Sequence, residues 1–223
     1  IEQGLPKPSI AIWADGDLGE SVLLRAKAMS IATSASPGSG MKTLSHLFVD
    51  YIGIQLSFNP DSSHDTRKQL IKQLKILSDG TRKESIQLIV ELDSSPTTTQ
   101  IESFGNPMEA RANLLVKAIQ QLQDAGVNSA IWAINPEGIE PFVATLAAQG
   151  HIDGRHSRVL LCTSGDFSTN NIHGLTADEK RITCLAARTH GVDGLLIGPG
   201  AYYSDLVDYN AGNIQRDEAI LSI

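Results

Sequence analysis

Glu91, in the run LIVELD, follows three apolar residues near the end of a strand-like segment. A carboxylate held there and partly stripped of water gains proton affinity and can exchange a proton with a substrate. The same residue could also serve as a hydrogen-bonded carboxylate inside a barrel mouth. Asp15, which closes IAIWAD, could hold a sugar hydroxyl or a metal, or could cap the helix that follows. Further acids, amides and hydroxyls stand at the ends of other apolar runs: Ser34 and Ser36, Ser57 and Asn59, Asp93, Asn135 and Glu137, and Thr163 with Ser164 and Asp166. In LLIGPGAYYSD, Gly198 and Gly200 could offer backbone N–H groups to a phosphate, or could simply form a tight turn. The expected catalytic residues are therefore Glu91 and Asp15. Ser57, Asn59, Asn135, Glu137, Gly198 and Gly200 are expected to contact substrate.

Other chemistries lack their residues. Cys162 lies in an apolar run and Cys184 in a helical stretch, so both read as small buried hydrophobes rather than nucleophiles or a disulfide framework. The six histidines fall in helical or loop stretches without H-x-x-x-H or H-E-x-x-H spacing, and neither a metal nor another cofactor is expected. There is no G-x-S-x-G elbow and no G-x-G-x-x-G fingerprint. With 18 basic and 25 acidic residues, a net charge of -7 and no basic cluster, nucleic acid is not an expected partner. No apolar run approaches the length of a membrane span, and IEQGLPKPS has neither the basic head nor the apolar core of a signal peptide. A cytoplasmic setting fits this composition.

The elements that must position these residues alternate. Strands are expected at 9–15, 31–36, 51–59, 85–93, 129–135, 157–165 and 193–200, separated by helical patterns. In DTRKQLIKQLKILSDG, Leu70, Ile71, Leu74 and Leu77 form one stripe. Asn106 caps a helix that begins with Pro107 and carries Glu109, and Thr176 with Glu179 makes a capping box. Gly80, Gly126, Gly150 and Gly191 stand where helices should stop. Alternation of this kind requires parallel pairing through crossovers. The near-continuous apolar strands suit a sheet covered on both faces or closed on itself. The expectation is a single α/β domain over 1–223, an incomplete (β/α)8 barrel of TIM type with its first strand and last helix missing or truncated. A new helix expected to begin at QRDEAILSI, and the lack of an initiating Met, fit the expectation of a piece of a longer chain.

Seven segments in order carry a resemblance: ADGDLGESVLLRAKA, IQLSFNPDS, KQLKILSD, IQLIVELDSSPTTTQ, LLVKAIQQLQDAGVNSAIWAINPEG, RVLLCTSG and VDGLLIGPGAYYSD, followed by GNIQRDEAI. From about Asp15 to Ile220 the chain resembles the C-terminal aldolase-like domain found with bacterial 5-dehydro-2-deoxygluconokinase of myo-inositol catabolism. More distantly it is similar to tagatose-1,6-bisphosphate aldolase, a Schiff-base barrel enzyme. The resemblance implies carbon–carbon cleavage of a sugar phosphate, with Glu91 as the proton-transferring acid and Asp15 as the acid of an early strand. It also implies a lysine directly after the tryptophan of AIWAINPEG, and this chain has Ala133 there. A second family lysine is replaced by Pro37, and an arginine after the last strand's glycine by Pro199.

All nine lysines (Lys7, Lys27, Lys42, Lys68, Lys72, Lys75, Lys83, Lys117 and Lys180) fall outside the expected strands. Three readings follow. The first is an aldolase-like barrel without Schiff-base activity, binding a small sugar or sugar phosphate, either fused to a sugar kinase or homo-oligomeric. The second is an active carbon–carbon lyase using Glu91 and another group. The third is an unrelated barrel enzyme sharing only the fold.

Overall fold

The computed structural model of the chain describes residues 11–15, 19–36, 49–152, 157–163, 177–198 and 203–218, without the side chains of Asp15 and residues 203–206. Seven strands form one sheet: β1 (Ala11–Asp15), β2 (Ala32–Ser36), β3 (Tyr51–Ser57), β4 (Gln87–Asp93), β5 (Ile131–Ile134), β6 (Arg158–Cys162) and β7 (Gly194–Leu196). All six neighbouring pairs are parallel, and the order across the sheet is the order in sequence. Each expected strand is present among the described residues, within its expected range. Helices alternate with them: α1 (Glu20–Ala28), α2 (His64–Lys83), α3 (Thr98–Phe104), α4 (Pro107–Asp124), α5 (Val143–Gly150), α6 (Ala177–Arg188) and α7 (Tyr203–Ala211). The last of these follows β7 and precedes the QRDEAILSI stretch, in a segment where no helix was expected.

Sequential order matters because parallel crossovers are almost always right-handed. Strands added in one direction then carry their helices on one face, unlike a doubly wound sheet, whose order reverses. The packing bears this out. Leu74 of α2, Leu115, Ile119 and Leu122 of α4 and Leu146 of α5 join Ile52, Leu88, Val90, Leu92, Trp132, Ile134 and Val159 in one core. These strand residues alternate along the chain, as a two-residue repeat requires.

The opposite face packs strand against strand. Trp13, Tyr51, Ile89, Ile131, Ala133, Leu160, Cys162 and Leu196 cluster there with no helical residue among them. Trp13 of β1 reaches over β2 to lie on Gly53 of β3: a methyl group on Gly53 would stand 2.2 Å from the indole. Its ring nitrogen donates to Ser36 Oγ at 2.8 Å. A side chain can bridge three strands in this way only if the sheet curls, so this face is concave.

Local signals explain the helix ends, with two corrections. Asn106 caps α4 by accepting from Met108 N, with Pro107 in the first turn, as expected. Gly126 and Gly191 take the left-handed conformation. Gly80 does not stop its helix: α2 continues to Lys83, and Ser85, at φ 59°, makes the left-handed turn. Burial of Ser78 and Thr81 carries the helix past the glycine, whose intrinsic cost is about 1 kcal/mol. Gly150 is the last residue of α5 and lacks a positive φ. Its small size is needed because a Cβ would come within 2.5 Å of Val159 Cγ2. Thr176, the expected cap of α6, lies outside the described residues.

Candidate functional site

A parallel sheet gathers all its C-terminal strand ends at one edge, and the βα connections leave from there. Glu91 stands on the concave face of β4, third from its end, and Ala133 of β5 is its register partner. On the other side Gln55 of β3 is in register with Glu91 and donates from Nε2 to Glu91 Oε2 at 3.0 Å. Glu91 is half-buried. Cys162, nearly fully buried on the same face, feels both its burial and the Glu91 charge, and both push its thiol well above the ordinary range. Glu91 therefore sits above an apolar floor of Ile89, Ile131, Ala133, Leu160 and Cys162.

Two residues beyond this row, on the same face, Ser57 closes β3 opposite Asp93. Its exposed hydroxyl has no partner among the described residues. Asp93 is held on both oxygens: Ser95 Oγ donates to one at 3.0 Å, and Arg111 donates to the other from Nη2 at 3.2 Å. Arg111 extends from the second turn of α4. It also reaches the carbonyl oxygens of Asn135 (3.2 Å) and Glu137 (2.7 Å). The end of β4 and the loop after β5 are thus clamped by one guanidinium. The sequence reading missed Arg111 because it looked for cations on strands. The discoverable signal is its place in the first turns of a βα helix, which lie at the C-terminal edge of the sheet.

The remaining expected residues divide. Asn135 Oδ1 accepts from Glu137 N at 2.9 Å, which shapes the turn, while its amide N–H2 and the Glu137 carboxylate have no partners among the described residues. Asn59 is different. Its Nδ2 donates to Ser95 O and Gln100 Oε1, and its Oδ1 accepts from Gln100 Nε2 and Asp61 N. Every hydrogen-bonding position of that amide is used, so Asn59, expected to contact substrate, pins two loops together. Gln100 also closes a capping box with Thr97 at the start of α3, a signal the sequence carried in TTTQ. The N–H of Gly198, expected to face a substrate, donates to Thr163 Oγ1 at 2.9 Å. Asp15 ends β1 opposite Ser36. Asp17, Pro37, Ser164, Asp166, Pro199 and Gly200 lie outside the described residues.

Among the described residues no group of three His, Cys, Asp or Glu side chains is arranged to hold a metal ion, and no helix is long and apolar enough to cross a membrane. The site's chemical means are thus a carboxylate beside a primary amide, a hydroxyl and a second amide over an apolar floor. Such a set can exchange one proton and hydrogen-bond several hydroxyl groups. No family model and no curated protein matches the chain.

Proposed function

We propose that the chain is an aldolase-type (β/α)8 barrel domain of sugar or sugar-phosphate metabolism that does not form a Schiff base. The observation that carries this reading is Ala133. It lies on the concave face, in register with Glu91, at the position where the family resemblance calls for a lysine. The lysine amine of such an enzyme condenses with the substrate carbonyl and releases water. The electron pair of the broken carbon–carbon bond then delocalises onto the iminium nitrogen. A methyl group supplies no nitrogen, and none of the strands β1–β7 carries a lysine.

What remains favours a neutral polyol over a bisphosphate. Glu91, Ser57 and Asn135 are open to hydroxyl groups. Among the described residues the cation that reaches the ends of β4 and β5, Arg111, is already occupied by Asp93 and two carbonyls. A phosphate desolvated there would lack a free cation, which is costly.

Borohydride reduction tests the reading directly. Incubation with 2-deoxy-5-keto-gluconate 6-phosphate or tagatose 1,6-bisphosphate followed by borohydride should leave the mass of the protein unchanged. A covalent adduct would show that some lysine reaches substrate and would sink the proposal. Titration of isotope-labelled protein with free and phosphorylated polyols, read from the amide shifts of Ser57, Glu91 and Asn135, should show the phosphorylated compounds binding no more tightly at this edge.

A further inference from the structure

At the opposite end of the strands lies a cleft of about 470 Å3, within the range of small-molecule sites. It runs between the end of α2 and the first residues of β3, β4, β5 and β6. Strands β3 and β4 are seven residues long, which puts Ser57 and Asp93 about 20 Å, and Glu91 about 13 Å, from the strand starts that line this cleft.

The charge of the cleft runs against that of the chain. The protein carries a net charge of -7. Among the described residues the cleft is nonetheless lined by Arg82 and Arg158 and by no aspartate or glutamate. Arg158 opens β6 in register with Ile131, which places it on the concave side. Its guanidinium has no partner among the described residues. Among the described residues Arg82, in the last turn of α2, pairs with Asp79 alone, at 3.4 Å on an exposed surface, and such pairs exchange readily. Asp50, next to Tyr51, is turned away: its carboxylate accepts from Thr33 N and Lys27 Nζ.

Neutral donors complete the lining. Tyr51, Ser85, Gln87 and Asn128 also line the cleft, and none of their side chains hydrogen-bonds within the described residues. The carbonyls at the end of α2 would repel an anion if they were open. They are instead closed by the turn, with Glu84 N bonded to Gly80 O, Ser85 N to Arg82 O and Ile86 N to Thr81 O.

We propose that this cleft binds a small phosphate-bearing ligand through the Arg82 and Arg158 guanidinium groups. Two planar forks suit the several acceptor oxygens of a tetrahedral dianion, since each can bond to two of them. The polar lining selects a small hydrophilic molecule. The site lies at the end of the sheet opposite the proposed reaction edge and does not depend on that assignment.

The test is a titration of isotope-labelled protein, followed by amide NMR, with inorganic phosphate, fructose 6-phosphate, citrate and fructose. Both phosphate probes should give saturating shifts among residues 78–88, 128–131 and 158, and fructose none. Arg158→Gln and Arg82→Gln should each weaken fructose 6-phosphate binding by about tenfold. Exposed Lys68→Gln, a control for overall charge, should leave it unchanged. Circular dichroism of each variant checks that the fold is intact. The proposal fails if no phosphate probe saturates by roughly 10 mM or if the arginine variants bind as the parent does. It also fails if Lys68→Gln weakens binding equally, if the shifts map to Ser57, Asn59 and Asn135, or if citrate binds more tightly than either phosphate probe.

Discussion

Arg111 is the residue on which the geometry of the strand ends most depends. Its side chain is only 19% exposed, and it joins the Asp93 carboxylate to the carbonyls of Asn135 and Glu137. Replacement by Met keeps the aliphatic volume but strands three acceptors, a loss of about 1–3 kcal/mol. Arg111→Lys should recover only part of this, because an ammonium cannot reproduce the fork. Urea denaturation of the three proteins measures the difference, and identical midpoints would show that water replaces the clamp. The two cysteines offer a second check at this scale. Cys162 is buried with its thiol pushed up by burial and by the Glu91 charge, whereas Cys184 is exposed. Thiolate is the reactive form, so a thiol reagent at pH 8 should modify Cys184 quickly and Cys162 only on unfolding. Two fast thiols in the folded protein would contradict the buried position of Cys162.

Among the elements, β1, β2 and β3 are locked by two devices. The first is the contact between Trp13 and Gly53. A methyl at Gly53 has no room beside the indole, and Gly53→Ala should destabilise by about 1–3 kcal/mol, the usual cost of overpacking. In a Trp13→Leu background the penalty should shrink, since residues in contact are not additive. A full penalty there would place the strain elsewhere. The second device is Asp50, which accepts from the Thr33 N–H and hydroxyl of β2 and from Lys27 of α1. Burial alone would raise its carboxyl, but the bonds from Thr33 and Lys27 outweigh it and hold the carboxyl below its ordinary value. A carboxyl lowered in the folded state stabilises above its unfolded pKa of about 3.9. That stability fades as the pH falls through the lower folded value. Acid titration of thermal stability should therefore show a drop below about pH 4 that is smaller in Asp50→Asn. Parallel pH profiles would remove this role.

Over the whole molecule the core is uneven. Strands β4 and β5 have neighbours on both sides and bury Leu88, Val90, Leu92 and all four residues of β5. β7 is three residues long, partly exposed throughout, and pairs only with β6 among the described residues. Opening free energies track buried apolar contact. Amide exchange should be slowest in β4 and β5 and fastest, among strands, in β7. Equal protection in β7 would mean that its far edge is covered in solution.

How much of this was legible in the sequence depended on the range of the interaction. Strand positions were readable because apolar runs and caps such as Asn106 act over a few residues. The Glu91–Ala133 row was half legible: each residue lay on a recognisable strand, but their adjacency follows from the parallel register of β4 and β5. Gly80 misled because local propensity favours a stop there and the burial of Ser78 and Thr81 overrides it. Asn59, Gly198 and Arg111 could not be assigned at all from their own segments. Their roles are set by Gln100, Thr163 and Asp93, which lie 41, 35 and 18 residues away. By itself the sequence determined that alternating strands and helices must pair in parallel and that no strand carries a lysine, because both are properties of short segments. The tertiary structure decided which polar groups are already consumed and which remain open to a ligand, because a hydrogen bond satisfied by a distant residue leaves no trace in the segment that uses it.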